Sequence, residues 1–260
     1  MDNIENKVVI ELKDIHKTLG GKDVFTGVNL SFRRGETIVI IGRSGEGKSV
    51  LLKHIIGLMQ PDSGQVIVEG EDITRLDEQR LVQVREKINM LFQNSALFDS
   101  LSVEENVAFS LYEHTKLSRE DIRQRVEENL HMVKLEGVLE KMPADLSGGM
   151  RKRVALARAI ITRPKIILYD EPTTGLDPIT ADSINELILS LQDQLGVTSV
   201  VVTHDMASAF KVADRVAFLN QGKIIAVGSV DEIQQSGDSF VQQFIQGKAD
   251  ESMTNGFSGN

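Results

Sequence analysis

Apolar and polar positions follow two rhythms along this chain. Short β-branched runs, VVIEL at Val8–Leu12, TIVII at Thr37–Ile41, KIILY at Lys165–Tyr169 and SVVVT at Ser199–Thr203, are separated by longer amphipathic stretches. That alternation predicts an α/β domain with a largely parallel sheet. Near the start, the strand-like segments at Val8–Leu12, Val28–Phe32 and Gln65–Glu69 are linked by Gly-rich turns instead of helices, which predicts an added antiparallel layer. From about Asn94 to Arg163 the pattern turns helical, and SREDIRQRVEENLHMVKL combines acidic capping with helical apolar spacing. We read this stretch as a helical subdomain inserted into a single domain spanning residues 1–247, with residues 248–260 as a polar, Gly/Ser-rich tail.

Composition narrows the chemistry. The chain has 260 residues, enough for one domain with a substantial core. Its 29 Lys and Arg against 38 Asp and Glu give a net charge of -9, which argues against a broad nucleic-acid surface, so any phosphate must be met locally. With no cysteine there is no disulfide framework, Cys-rich zinc site or thiol nucleophile. The opening MDNIENK is acidic and polar, unlike a secretory signal, and no apolar run approaches membrane-spanning length. Membrane association is therefore expected to run through a partner.

Three motifs carry candidate chemistry. The octapeptide Gly42-Arg43-Ser44-Gly45-Glu46-Gly47-Lys48-Ser49 has the P-loop pattern between a predicted strand and a predicted helix. Its glycines allow successive amides to curl around phosphate, Lys48 supplies a mobile charge for the β- and γ-phosphates, and Ser49 is placed to ligate Mg²⁺. This setting resembles that of P-loop NTPases, a resemblance that implies a RecA-like α/β core. Further on, Asp170 and Glu171 stand at the end of the strand IILY, the end that faces the ligand crevice in parallel sheets. Asp170 suits the Mg²⁺ shell, and Glu171 suits proton acceptance from an attacking water. An acidic strand-to-loop junction alone would mean little; beside a P-loop it completes a phosphoryl-transfer site. Between the two lies Leu146-Ser147-Gly148-Gly149-Met150, where Ser147 resembles an N-cap and two glycines leave amides uncovered, a second anion-binding helix start.

P-loop, LSGG and Asp-Glu strand, in that order and spacing, resemble the nucleotide-binding subunit of ABC transporters. The resemblance implies two ATPs sandwiched in a homodimer, the LSGG of one chain covering the γ-phosphate held by the P-loop of the other. Gln93 resembles the Q-loop glutamine that touches Mg²⁺ or water, Gly175-Leu176-Asp177 the D-loop at the dimer interface, and His204 the switch histidine that contacts γ-phosphate. His16, His54, His114 and His131 have no such context and read as surface or helix residues. Two positions depart from the common pattern: Leu19 stands where an aromatic side chain stacks on adenine, unless Phe25 substitutes, and Met150 replaces the usual Gln after LSGG.

LSGGM with its basic follow-on, QNSALFDSLSVEENVAF after Gln93, and DPIT after the D-loop resemble the ATPases of MCE-linked, Mla-type phospholipid transporters. This implies a permease, an MCE lipid-binding protein, a small STAS-type subunit, and a peripheral place on the cytoplasmic face of a bacterial inner membrane. Asn94–Leu111 would be the permease-docking groove, with Leu97, Phe98 and Val107 as anchors or as core, and the tail a candidate clasp on the neighbouring ATPase. Alternatives are an amino-acid or other small-solute transporter ATPase and a soluble ABC ATPase. The soluble class usually carries two cassettes or long coiled coils, and this chain has one P-loop and no sustained heptads.

Overall fold

A computed structural model describes residues 7–247. VVIEL joins a separate antiparallel sheet, while the other three β-branched runs, TIVII, KIILY and SVVVT, become adjacent strands of one six-stranded sheet. Its order is β10 (Lys223–Gly228), β9 (Arg215–Asn220), β3 (Thr37–Ile41), β8 (Thr198–Thr203), β7 (Ile166–Asp170) and β6 (Ile88–Leu91). All neighbours are parallel except the edge pair β9–β10. The predicted antiparallel layer is a second sheet, ordered β2 (Lys22–Arg33), β1 (Val8–Leu19), β4 (Ser63–Val68), β5 (Glu71–Asp72). Strand β1 runs past the predicted Leu12 because its hairpin partner β2 continues the ladder to Leu19–Lys22.

Period-two alternation along β3 divides the interior. Ile38 and Ile40 face a cluster shared with the antiparallel sheet and helix α1 (Lys48–Ile55), including Leu12, Phe32, Leu51 and Leu52. Val39 and Ile41 face the opposite cluster, shared with helices such as α5 (Gly148–Ile160) and α6 (Pro178–Leu195). The parallel sheet is thus buried on both faces, which is why its strands are apolar at nearly every position.

Within the Asn94–Arg163 stretch the described helices are α3 (Val103–His114), α4 (Arg119–Met132) and α5, and α3 and α4 both pack on α5. Ser118 starts α4 with the capping box that the acidic first turn implied, Asp121 answering it. Their apolar residues join the sheet's own cluster without a break. Helix α2 (Glu78–Arg85) lies before them, and α7 (Met206–Val212), α8 (Val230–Gln234) and α9 (Ser239–Ile245) complete the chain as described. The clasp expected in residues 248–260 lies outside the described residues.

Candidate active site

Sheet register assembles the site. Ile41 pairs with Thr203, and Asp170 with Val202, so the chain leaves β3, β8 and β7 at one edge with Gly42, His204 and Glu171 next in sequence. Strand β7 starts and ends one residue later than the sequence predicted, placing Asp170 inside the ladder, and the Glu171 amide still donates to Val202 O at 3.0 Å.

The P-loop turns from β3 into α1, whose first residue is Lys48. Gly47 sits at φ +96°, and a Cβ there would lie 2.5 Å from Val24 Cγ1, so conformation and packing against the β1–β2 hairpin both require glycine. The buried Lys48 ammonium donates to Gly42 O at 2.8 Å and Arg43 O at 3.1 Å, and lies 3.7 Å from the Glu171 carboxylate. Burial lowers its pKa, opposed by the charges of Glu171, Asp170 and Glu46. Glu46 accepts the Gln221 amide from the β9–β10 turn at 2.6 Å, and the Arg43 guanidinium lies over the Phe240 ring of α9, 5.1 Å from its centroid.

Ser49 Oγ donates to Asp170 Oδ1 at 2.7 Å. A hydroxyl and a carboxylate side by side are hard oxygen donors of the kind Mg²⁺ takes, and Mg²⁺ at phosphate sites characteristically uses one or two protein ligands with phosphate and water completing the shell. Among the described residues there is no group of three His, Cys, Asp or Glu suited to a metal. Gln93 is exposed just beyond β6, and it is the backbone carbonyl of Gln93 that is bonded, to Lys152 Nζ.

Glu171 has φ +47°, a left-handed conformation that costs a non-glycine residue about 1–2 kcal/mol. Its carboxylate is nevertheless fixed: Thr174 Oγ1 donates at 2.9 Å, Thr203 Oγ1 at 3.3 Å, and His204 Nδ1 lies at 2.9 Å. Sequence reasoning missed Thr174 and Thr203, although Thr203 immediately precedes the recognised His204. The half-exposed ring of His204 thus touches the carboxylate directly while reaching solvent.

The LSGG turn lies elsewhere. Ser147 caps α5, its Oγ accepting the Met150 amide at 3.3 Å, and the turn packs on the D-loop and the start of α6. A Cβ on Gly149 would lie 2.5 Å from Thr180 Cγ2, so this glycine serves helix packing as well as amide exposure. A Cβ on Gly148 would lie 3.4 Å from Leu176 Cδ2, an ordinary van der Waals contact. Asp177 caps α6, accepting from the Ile179 and Thr180 amides and from Thr180 Oγ1; that hydroxyl contact leads the causes lowering its pKa. Among the described residues no hydrogen bond joins Ser147–Met150 to the P-loop of the same chain.

The structure also separates residues that the sequence left open. Leu19 is 37% exposed at the tip of the β1–β2 hairpin, whereas Phe25 is 1% exposed and packs edge-on against His54, so Phe25 is core and cannot take the place of an adenine-stacking ring. His54 is buried as well, bonded to Val50 O. The hairpin, Gly45, Glu46 and the Gln221–Gly222 turn border a cavity of 310 Å³. Val107 is fully buried and Leu97 packs on the core, but Phe98 is 45% exposed and stacks with Phe109, itself exposed, their centroids 4.8 Å apart. Tyr112, one turn along α3 from Phe109, is exposed on the same face. Asn106 fixes this turn, donating to the Phe98, Leu101 and Ser102 carbonyls and accepting the Phe98 amide.

The ABC transporter family profile matches residues 25–174. The intermembrane phospholipid transport system ATP-binding protein MlaF of Haemophilus influenzae is 42% identical over 245 residues, 94% of this chain and 93% of the relative. Escherichia coli MlaF is 41% identical over 242 residues, 93% of this chain and 90% of the relative. Among solved structures, the ATP-binding cassette MJ0796, dimeric and bound to ADP and Pi in a post-hydrolysis state, superposes with a TM-score of 0.79 at 35% identity, covering 85% of this chain and 98% of that one.

Burial is the largest influence on Asp170, raising its pKa, with Glu171 adding repulsion and Ser49, Lys53 and Lys48 opposing. The folded value therefore exceeds the unfolded one. Stability from this group is fully present below the ordinary carboxylate range and is lost as pH rises through the raised folded value. At neutral pH, Asp170→Asn should raise the melting temperature, by roughly 2–4 °C for each 1 kcal/mol recovered, while Mg²⁺-dependent hydrolysis is lost. A lower melting temperature in a calorimetric scan would show that the carboxylate stabilises the fold.

Proposed function

Since this chain belongs to the ABC transporter family as an ATP-binding, ATP-hydrolysing subunit, we propose that it powers transport of lipid, phospholipid in particular, through a separate membrane permease. Similarity to two phospholipid-system ATP-binding proteins over nine-tenths or more of each chain supports the lipid reading. The observation that carries the enzymatic reading is the gathering of Lys48, Asp170, Glu171 and His204 at one sheet edge.

In this reading Gly42, Arg43, Ser44, Gly45, Glu46 and Gly47 wrap the phosphates with main-chain amides, and Lys48 leaves its loop carbonyls to meet the β- and γ-oxygens. Ser49 and Asp170, with Gln93 from the other side, would hold Mg²⁺, which when bound neutralises charge developing on the transferred phosphoryl. Glu171 accepts the proton of the attacking water. Thr174, Thr203 and His204 aim its carboxylate, and the exposed side of His204 is free for the γ-phosphate. Leu19 gives adenine apolar contact without ring stacking. Ser147, Gly148 and Gly149, with Asp177 behind them, act on the nucleotide of a second copy, because among the described residues no hydrogen bond ties them to the P-loop of their own chain.

The partners we propose are that second copy, the permease, an MCE lipid-binding protein and a STAS-type subunit, with no nucleic acid. None of the described helices is long and apolar enough to cross a membrane, so the peripheral position on the cytoplasmic face of an inner membrane rests on the permease. Phe98, Phe109 and Tyr112 offer it an apolar face, the arrangement by which a groove grips a helix through a few anchors.

Glu171→Gln should keep ATP affinity and reduce turnover at least a hundredfold, trapping an ATP-bound dimer, because the phosphate cradle persists while the base is lost. Turnover near the parent rate in the assembled complex would exclude Glu171 as the base. Phe98→Asp should leave the isolated chain folded, since the side chain is half-exposed, but should abolish permease co-purification and lipid-coupled hydrolysis together. A folded Phe98→Asp chain that still co-purifies with the permease would refute this docking face.

A further inference from the structure

Helix α5 carries an ammonium on its inward stripe. Lys152 shares that stripe with Ala155, Leu156, Ala159 and Ile160, all buried, and is itself buried at 4% exposure. It has no ion pair within contact distance among the described residues. Instead Nζ donates to two main-chain carbonyls from different parts of the chain, Gln93 O and, at 3.3 Å, Glu171 O. Asp170 and Glu171 attract it through space. A buried ammonium is costly, and an apolar side chain would suit the stripe better, so the arrangement calls for an explanation beyond packing.

Another cation of the same helix, on a different face, narrows that explanation. Arg158, six residues and about 9 Å further along α5, donates to Ser95 O and Ala96 O, each at 2.7 Å. Ser95 and Ala96 are consecutive non-glycine residues with positive φ, +63° and +45°, a conformation that the surroundings must hold in place. The segment from Gln93 to Ala96 is thus fastened at two points to the helix that begins with LSGG. Two residues later comes Phe98, itself fastened by Asn106. At its other contact Lys152 grips the carbonyl of Glu171, whose left-handed backbone sets the direction of its side chain.

We propose that Lys152 is a positioning residue for hydrolysis, tying the main chain of Glu171 to that of Gln93 so that the Phe98 face, the Gln93 segment and the carboxylate move as one unit. The proposal rests on Glu171 as the base. A partner that shifts the Phe98 face then changes the aim of Glu171 without touching nucleotide, giving a mechanical route for permease control of turnover.

The test compares Lys152→Met, which removes both hydrogen bonds, with Lys152→Arg, which keeps charge and donors. ATP affinity is titrated on the full chain, and kcat and KM are measured with and without the permease. Lys152→Met should bind ATP within about twofold of the parent, lose at least tenfold in kcat with KM little changed, and lose permease stimulation. Lys152→Arg should recover kcat to within about threefold. Parent-like kcat and stimulation in Lys152→Met would overturn the proposal, as would parallel loss of affinity and kcat without rescue by Arg, the mark of a packing defect. If Lys152→Met does not fold, Lys152→Gln is read by the same measurements: its shorter amide cannot span both carbonyls, so at least a fivefold loss in kcat is expected, and a parent-like rate would overturn the proposal. Glu171→Gln is measured alongside. Persistent turnover there removes the base assignment, whereas its loss beside a parent-like Lys152→Met removes only the tie.

Discussion

Ile41 is paired with Thr203, and Asp170 with Val202, across three parallel strands, and the site depends on that lateral register. Ser49 of the P-loop stands 121 residues before Asp170, and Glu171 stands 33 before His204, yet each segment begins within a residue of the same sheet edge. A parallel strand cannot slip by one residue without exchanging its two buried faces, and both faces here are packed with apolar side chains. The core therefore fixes the register, and the register fixes the distances among Lys48, Asp170, Glu171 and His204.

Those residues are expensive to hold together. Lys48, Lys152, Asp170 and Glu171 are all buried, and burial disfavours the charged forms of both lysines and of Asp170. Alternation of sign and a dense set of hydrogen bonds to loop carbonyls and hydroxyls offset part of that cost. The left-handed backbone of Glu171 adds strain that its bonds to Thr174, Thr203 and His204 contain. Charge and strain confined to one sheet edge, inside a well-packed domain, are what a site built for phosphoryl transfer requires and what stability alone would discard.

Much of this was legible in the sequence because local patterns carry it. TIVII became a strand with unchanged ends, Ser118 and Ser147 became the N-caps that their contexts implied, and the two-sheet division followed from Gly-rich turns in place of helices. What could not be read was side-chain direction across long separations. Phe25 and Leu19 are both apolar and near the P-loop in sequence, but only packing against His54 shows that Phe25 is core. Val107 and Phe98 stand nine residues apart in one apolar segment, yet the α3 face and the Asn106 clamp bury one and expose the other. Lys152 left a faint signal, a cation in phase with the apolar stripe of RKRVALARAI, whose meaning needed the Gln93 and Glu171 carbonyls in space.

The LSGG turn packs on its own D-loop and, among the described residues, forms no hydrogen bond to its own P-loop; we propose that each ATP site is completed by a second copy. The chain has no cysteine, which makes thiol cross-linking unambiguous. Two chains with one cysteine each, Glu46→Cys and Ser147→Cys, both also carrying Glu171→Gln, would be mixed and treated with a short bis-maleimide with and without Mg-ATP. A covalent dimer joining one residue of each kind, formed only with ATP, is the expected result. Cross-linking that ignores ATP, or closure within one chain when both cysteines are placed on it, would contradict the shared site.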